Sequence, residues 1–167
     1  MRLRRGNNVP RKIKQPKNKK VSAVIKQQKI EVNLEWNQTF GKDQTARFDN
    51  TQKFVDSECI RLMVKYTPAR NNILYKAATL GTKIGSGHIY YNSPYARYQY
   101  YGKLMVSRLT GSPYASKGES KVLTDKDLKY DKFRHPQAQK KWFETMKTNH
   151  KEQILRGAAA IASKKGR

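Results

Sequence analysis

The sequence predicts an α+β fold: a small antiparallel sheet packed by two main helices, with a disordered or extended basic N-terminal arm. Three observations carry this reading. Ile30, Val32, Leu34 and Trp36 alternate with Glu31, Asn33 and Glu35, the period of a half-buried strand. Two stretches, from about Asp43 to Tyr66 and from Pro136 onward, place apolar residues at helical spacing. The first thirty residues hold eleven Lys or Arg and no carboxylate, Glu31 being the first. The expected organisation is a basic extended arm over 1–28 and a single α+β domain over 29–167, with an irregular insertion at about 102–135.

Like-charge repulsion and the breakers Gly6, Pro10 and Pro16 favour extension in the arm. Residues 1 to about 22 are expected to order only against a partner, a solvated tail without a role being the alternative. After the strand, Asn37 to Asp43 break the pattern, and Asp43 is a plausible N-cap. Phe48, Val55, Cys59, Leu62 and Tyr66 then fall near one helical face, and Pro68 ends the run. Cys59 lies on that stripe and reads as a buried small hydrophobe rather than a reactive thiol.

Short strand-like pieces follow, NILYKAATLGTK and GSGHIYYN. Gly85-Ser86-Gly87 lacks the Lys-Ser/Thr of a phosphate loop and opens no helix, so it reads as a hairpin turn. YARYQYYG reads as two turns of helix closed by Gly102. The last helix is expected to start at Pro136, with Phe143, Met146, His150, Ile154, Ala158 and Ile161 on one side and Trp142 and Leu155 widening the stripe. Gly157 weakens it by about 1 kcal/mol relative to Ala, and the alanines after it admit a close neighbour.

The stretch IYYNSPYARYQYYG, residues 89–102, concentrates six of the ten tyrosines. At helical spacing its rings point several ways, and Arg97 is its one basic residue. Base-stacking platforms instead gather aromatics on one face among cations. Three uses compete: a subunit interface, the monomer's own core, and nucleic-acid stacking. The interface is the expectation, because tyrosine buries area at small entropic cost while its hydroxyl finds a partner.

Composition narrows the function. Lys plus Arg number 36 against 12 Asp plus Glu, a formal charge of +24 that attracts polyanions. One cysteine excludes an internal disulfide, and the three widely spaced histidines match no zinc pattern. No membrane span, secretory leader or strongly amphipathic basic helix is evident, which argues against a membrane role and for synthesis in the cytoplasm. No nucleophile stands beside a base, so neither enzyme activity nor a cofactor is expected.

The runs RLMVKYTPARNNIL, GHIYYNSPYARYQYYG and SKVLTDKDLKYDKFRHPQAQKKWFETMKTNHKEQIL resemble the minor capsid proteins of long-tailed bacteriophages, the tail-completion or head–tail joining proteins of the neck. The matching positions are Tyr66 and Pro68, then Pro94, Tyr95, Ala96, Gln99, Tyr100 and Gly102, then Pro136, Trp142 and Phe143. The resemblance covers about residues 44–162. It departs at Asn71-Asn72-Ile73-Leu74, where relatives carry a Thr-Gly-x-Leu turn, and it leaves out the arm.

What the resemblance implies is a structural virion protein, made in the bacterial host and placed in the neck. It would form a homo-oligomeric ring, six-fold or twelve-fold, that joins the DNA-filled head to the tail and lets DNA pass. Its partners would be adjoining neck proteins, tail-terminator or head-completion proteins, and packaged DNA held non-specifically. Tyr90, Tyr91, Tyr95, Arg97, Tyr98, Tyr100 and Tyr101 are then the candidate subunit interface. Arg2, Arg4, Arg5, Arg11, Lys12, Lys14, Lys17, Lys19 and Lys20 are the candidate contacts to a partner protein or DNA. The rival expectation is a free basic nucleic-acid-binding protein, ribosomal in style, using its tail and the tyrosines.

Overall fold

Two long helices meet across most of the chain in this computed structural model, which describes residues 12–26 and 28–163. Helix α1 spans Phe40–Met63 and helix α4 spans Trp142–Ser163; they pack against each other. Between them come α2 (Ile73–Gly81), α3 (Ala96–Tyr101) and the antiparallel pair β3 (Lys103–Ser107) and β4 (Lys121–Asp127). Ahead of α1 stands a second antiparallel pair, β1 (Lys19–Ile25) and β2 (Gln28–Leu34). The fold is therefore α+β, with the sheet divided into two small two-stranded parts.

The core is narrow. Leu62 and Met63 from the end of α1, Tyr66 from the turn after it, Leu74 from α2, and Trp142, Met146 and Ile154 from α4 are buried together. Val55, Cys59, Ile60, Ile89, Tyr91, Ala96 and Tyr100 close around them. The α1 helix runs into a 3₁₀ turn, Val64–Tyr66, and Thr67 turns extended (φ −81°, ψ 132°), as the residue before Pro68 must. Burial pushes the Cys59 thiol up, in keeping with an inert packing residue.

Several elements differ from the sequence reading. The α1 helix starts three residues early, so Asp43 sits in its first turn and accepts a hydrogen bond from the Thr39 hydroxyl (2.8 Å). Residues 73–81 are helix rather than strand: Leu74, Ala77 and Ala78 are buried at i, i+3, i+4, a period that the flanking Gly and Asn obscured. The insertion at 102–135 is not irregular throughout, because it contains β3 and β4. The last helix begins at Trp142 instead of Pro136. There the Gln139 N–H donates to Tyr66 O (3.1 Å) and the Lys141 N–H to Tyr100 O (2.8 Å), which spends those backbone groups on tertiary bonds before α4 starts.

The arm is also shorter than expected. Arg2, Arg4, Arg5 and Arg11 lie outside the described residues, but residues 13–34 are tied to the domain's own chain. The Ile13 N–H donates to Thr45 Oγ1 (3.1 Å), Gln15 Oε1 accepts the Gly41 N–H (2.9 Å), and Gln15 Nε2 donates to Asn37 O (2.8 Å). Gln15 thus caps one of the orphan amides that every helix start leaves. A side chain at Gly41 would forbid this, since its Cβ would lie 2.9 Å from Ile13 O. Within the expected arm, Lys19–Ile25 pairs with the strand that starts at Gln28 instead of remaining extended on its own.

Gly157 shows what the small residues of α4 are for. A Cβ there would stand 2.4 Å from Phe54 Cζ, so the glycine lets the two helices close over that ring. On propensity alone Gly157→Ala gains about 1 kcal/mol. Overpacking costs about 1–3 kcal/mol and wins here. Thermal melts should therefore show Gly157→Ala below the wild type, and in a Phe54→Leu background the same change should turn neutral or stabilising.

Candidate functional site

The tyrosine stretch is positioned by three internal anchors. Asp56, buried on α1, accepts the amides of Gly85 (2.8 Å) and Gly87 (3.1 Å) at Oδ2 and the Gln52 amide (2.7 Å) at Oδ1. The paired glycine amides do face an anion, but it is the protein's own carboxylate, so the turn is a structural latch. The Tyr90 N–H donates to Thr82 Oγ1 (3.0 Å), holding the next residues against the end of α2. Gly102 takes a left-handed conformation (φ 71°) and its N–H donates to Tyr98 O (2.8 Å), closing α3 as the sequence predicts.

These anchors sort the six rings into three groups. Tyr91 and Tyr100 pack on Trp142, with centroids 5.5 and 4.8 Å away. The Trp142 indole N–H donates to the Tyr91 hydroxyl (2.9 Å), and the Tyr100 hydroxyl donates to Glu144. Both rings belong to the monomer's own core, so the expectation of an interface role narrows at these two positions. Tyr98 is half-buried and meets Tyr95 edge-on (5.9 Å). Tyr90, Tyr95, Arg97 and Tyr101 are exposed. The stretch is thus a layer with one side inside the fold and the other open.

Between α1, residues 87–93, α3 and the start of α4 lies a cleft of about 700 Å³. Val55, Cys59 and Met63 form its apolar floor, and Tyr90, Tyr101 and Arg97 stand at its rim. Among the described residues no three His, Cys, Asp or Glu side chains gather as a metal site. No described helix is long and apolar enough to cross a membrane.

The second open surface is the β1–β2 hairpin, where every described residue of both strands is exposed. Register places Val21 opposite Val32 and Ala23 opposite Ile30, so one face is apolar while Lys20, Ser22, Glu31 and Asn33 occupy the other. Exposure of the large apolar residues here runs from 47% at Ile30 to 72% at Val24. The strand was expected to be half-buried; no other part of the described chain covers its apolar side. Lys12, Lys14 and Lys17 ahead of β1, and Lys19 and Lys20 within it, are all exposed.

Sequence reasoning missed Asp56, Gln15 and the apolar face of β1. Alternation at Val21, Ala23 and Ile25 was a usable signal for the last of these, masked by the surrounding lysines. The anchoring roles of Asp56 and Gln15 depend on contacts 26 to 31 residues away and leave no local trace.

Removing the Tyr91 hydroxyl would leave the buried Trp142 N–H without its acceptor. Tyr91→Phe should lower unfolding free energy in urea by about 1–3 kcal/mol. The phenols also set an alkaline limit. Burial pushes the pKa values of Tyr91, Tyr98 and Tyr100 up, with Glu144 adding to the effect at Tyr100, and burial pushes Tyr130 up to about 12. A phenol whose folded value lies above its ordinary value of about 10 contributes stability in full below that pH and loses it as pH climbs through the folded value. In a phenolate absorbance titration these four should ionise only above the ordinary phenol range, together with loss of the folded circular dichroism signal.

Neither a family model, nor a curated protein, nor a solved structure matches this chain.

Proposed function

We infer that this protein is a structural protomer of a self-assembled ring, the part played by neck proteins that join a phage head to its tail around DNA. One observation carries the inference: the chain exposes far more surface than a monomer of its size. It presents 13832 Å², against about 8,500 Å² for a compact 19.4 kDa protein. Counting all residues outside the described ones as fully exposed accounts for about 2,700 Å² of the difference. The remaining excess, about 2,600 Å², exceeds the roughly 1,600 Å² that two standard interfaces take from one subunit. A ring subunit needs two such faces, one for each neighbour.

The sequence resemblance and the charge support the same reading. A charge of +24 on each copy, repeated around a channel, makes a field that holds a polyanion without reading its sequence. Exposed Tyr90, Tyr95, Arg97 and Tyr101 supply aromatic and guanidinium groups of the kind that anchor interfaces. The exposed lysines of residues 12–20 favour a second reading, a free nucleic-acid-binding protein, because they need no assembly to meet phosphate.

Sedimentation velocity and negative-stain microscopy test the choice. The expected result is a closed oligomer that dissociates when Tyr95 and Tyr101 become Ala, with DNA affinity little changed per subunit. A monomer that binds DNA tightly, and loses that binding in the same variant, sinks the ring. DNA binding itself should fall with salt: if six cations meet phosphates, log K against log salt has a slope of about −5.

A further inference from the structure

A two-stranded hairpin is marginal alone in water and persists when its apolar face is covered. The β1–β2 hairpin joins the body at its base, where the Trp36 ring meets Phe40 (5.0 Å) and the Trp36 N–H donates to Asn18. Its apolar face carries Val21, Ile25, Ile30, Val32 and Leu34, and each strand has one edge that no described strand pairs. An exposed edge beside apolar side chains is a template for another strand.

Among the described residues the one other sheet is β3–β4. The β3 strand is half-buried against the body, whereas β4 is largely exposed and has an edge without a strand partner. Leu123 on β4 is 63% exposed, and Asp125 beside it has no hydrogen bond or ion pair to its carboxylate among the described residues. Charge chooses between partners. Residues 19–34 carry Lys19, Lys20, Lys26 and Lys29 against Glu31. Two copies of so basic a chain repel unless cations of one meet carboxylates of the other, and residues 119–131 hold four of the twelve acids against Lys121, Lys126 and Lys129.

We propose that the β1–β2 hairpin of one copy docks on the exposed edge and face of β4 of the next copy, joining the two sheets head to tail. The proposal rests on the ring reading above and names its contact. Lys19, which shares the face of Val21, reaches Asp125, while Val21 and Val32 cover Leu123. Because the two surfaces differ, the contact is heterologous and propagates around a ring.

Two full-length variants test it. One carries Val21→Thr, Ile30→Thr and Val32→Thr, which keep the β-branched carbon and so the hairpin. The other carries Leu123→Thr and Asp125→Lys. In sedimentation velocity each variant alone should associate at least about tenfold more weakly than the wild type. Their equimolar mixture should recover a dimer that grows no further, since each pair retains one intact joint. Should either variant lose its thermal transition, Cys59→Ser chains bearing Val32→Cys and Leu123→Cys are mixed and oxidised instead, with a heterodimeric disulfide expected. Rings formed by either variant alone, a mixture that stays monomeric, or no cross-link overturns the docking and leaves the ring reading intact. A wild type that is monomeric at every concentration overturns both.

Discussion

Trp142 is the residue around which the rest of the body is arranged. It is the largest fully buried side chain, it opens α4, and its indole N–H must be satisfied away from water. The Tyr91 hydroxyl does this from a segment 51 residues earlier, and Tyr100 meets the ring edge-on. To bring those phenols in, the chain between α2 and α3 must follow one path. Asp56 fixes that path at its start and Gly102 at its end. The exposed rings are exposed because their neighbours in sequence are committed to the indole. Core and open surface here are two sides of one layer.

The same economy explains why the body is thin. Seven residues make up its buried core cluster, drawn from the ends of α1 and α4 and from α2. Charged residues are 29% of the chain and hydrophobic ones 37%, and many of the latter stand on the hairpin and the tyrosine rim. Apolar surface that stabilises no monomer is surplus to a solitary protein, and it is expensive in solubility terms for a chain without partners. The high positive charge offsets that hazard by keeping copies apart.

How much of this was legible depended on range. The two long helices and the α3–Gly102 closure follow from short-period patterns and could be read directly. The α2 helix was readable too, from Leu74, Ala77 and Ala78, but the neighbouring glycine and asparagines suggested turns and strands. The start of α4 could not be placed, since Gln139 and Lys141 give their amides to Tyr66 and Tyr100, partners fixed only by the tertiary fold. For the candidate surface, the sequence located the tyrosines but not their division, because the side each ring faces is set by Trp142 and Asp56. The hairpin's first strand was hidden by lysines whose number suggested an arm, although Val21, Ala23 and Ile25 recur at the period of a strand.

The distance along the chain between α1 and α4 has a bearing on how the protein is made. A ribosome releases the first helix while its packing partner is still some eighty residues from synthesis, so Leu62 and Met63 wait without it until α4 emerges. What the nascent chain can build meanwhile is local: the Gln15 cap on Gly41 and the β1–β2 pair, both complete once the start of α1 emerges. The surface proposed to grip a neighbour would therefore exist before the body it belongs to, and on a polysome carrying several growing copies it would have to be kept from engaging too soon.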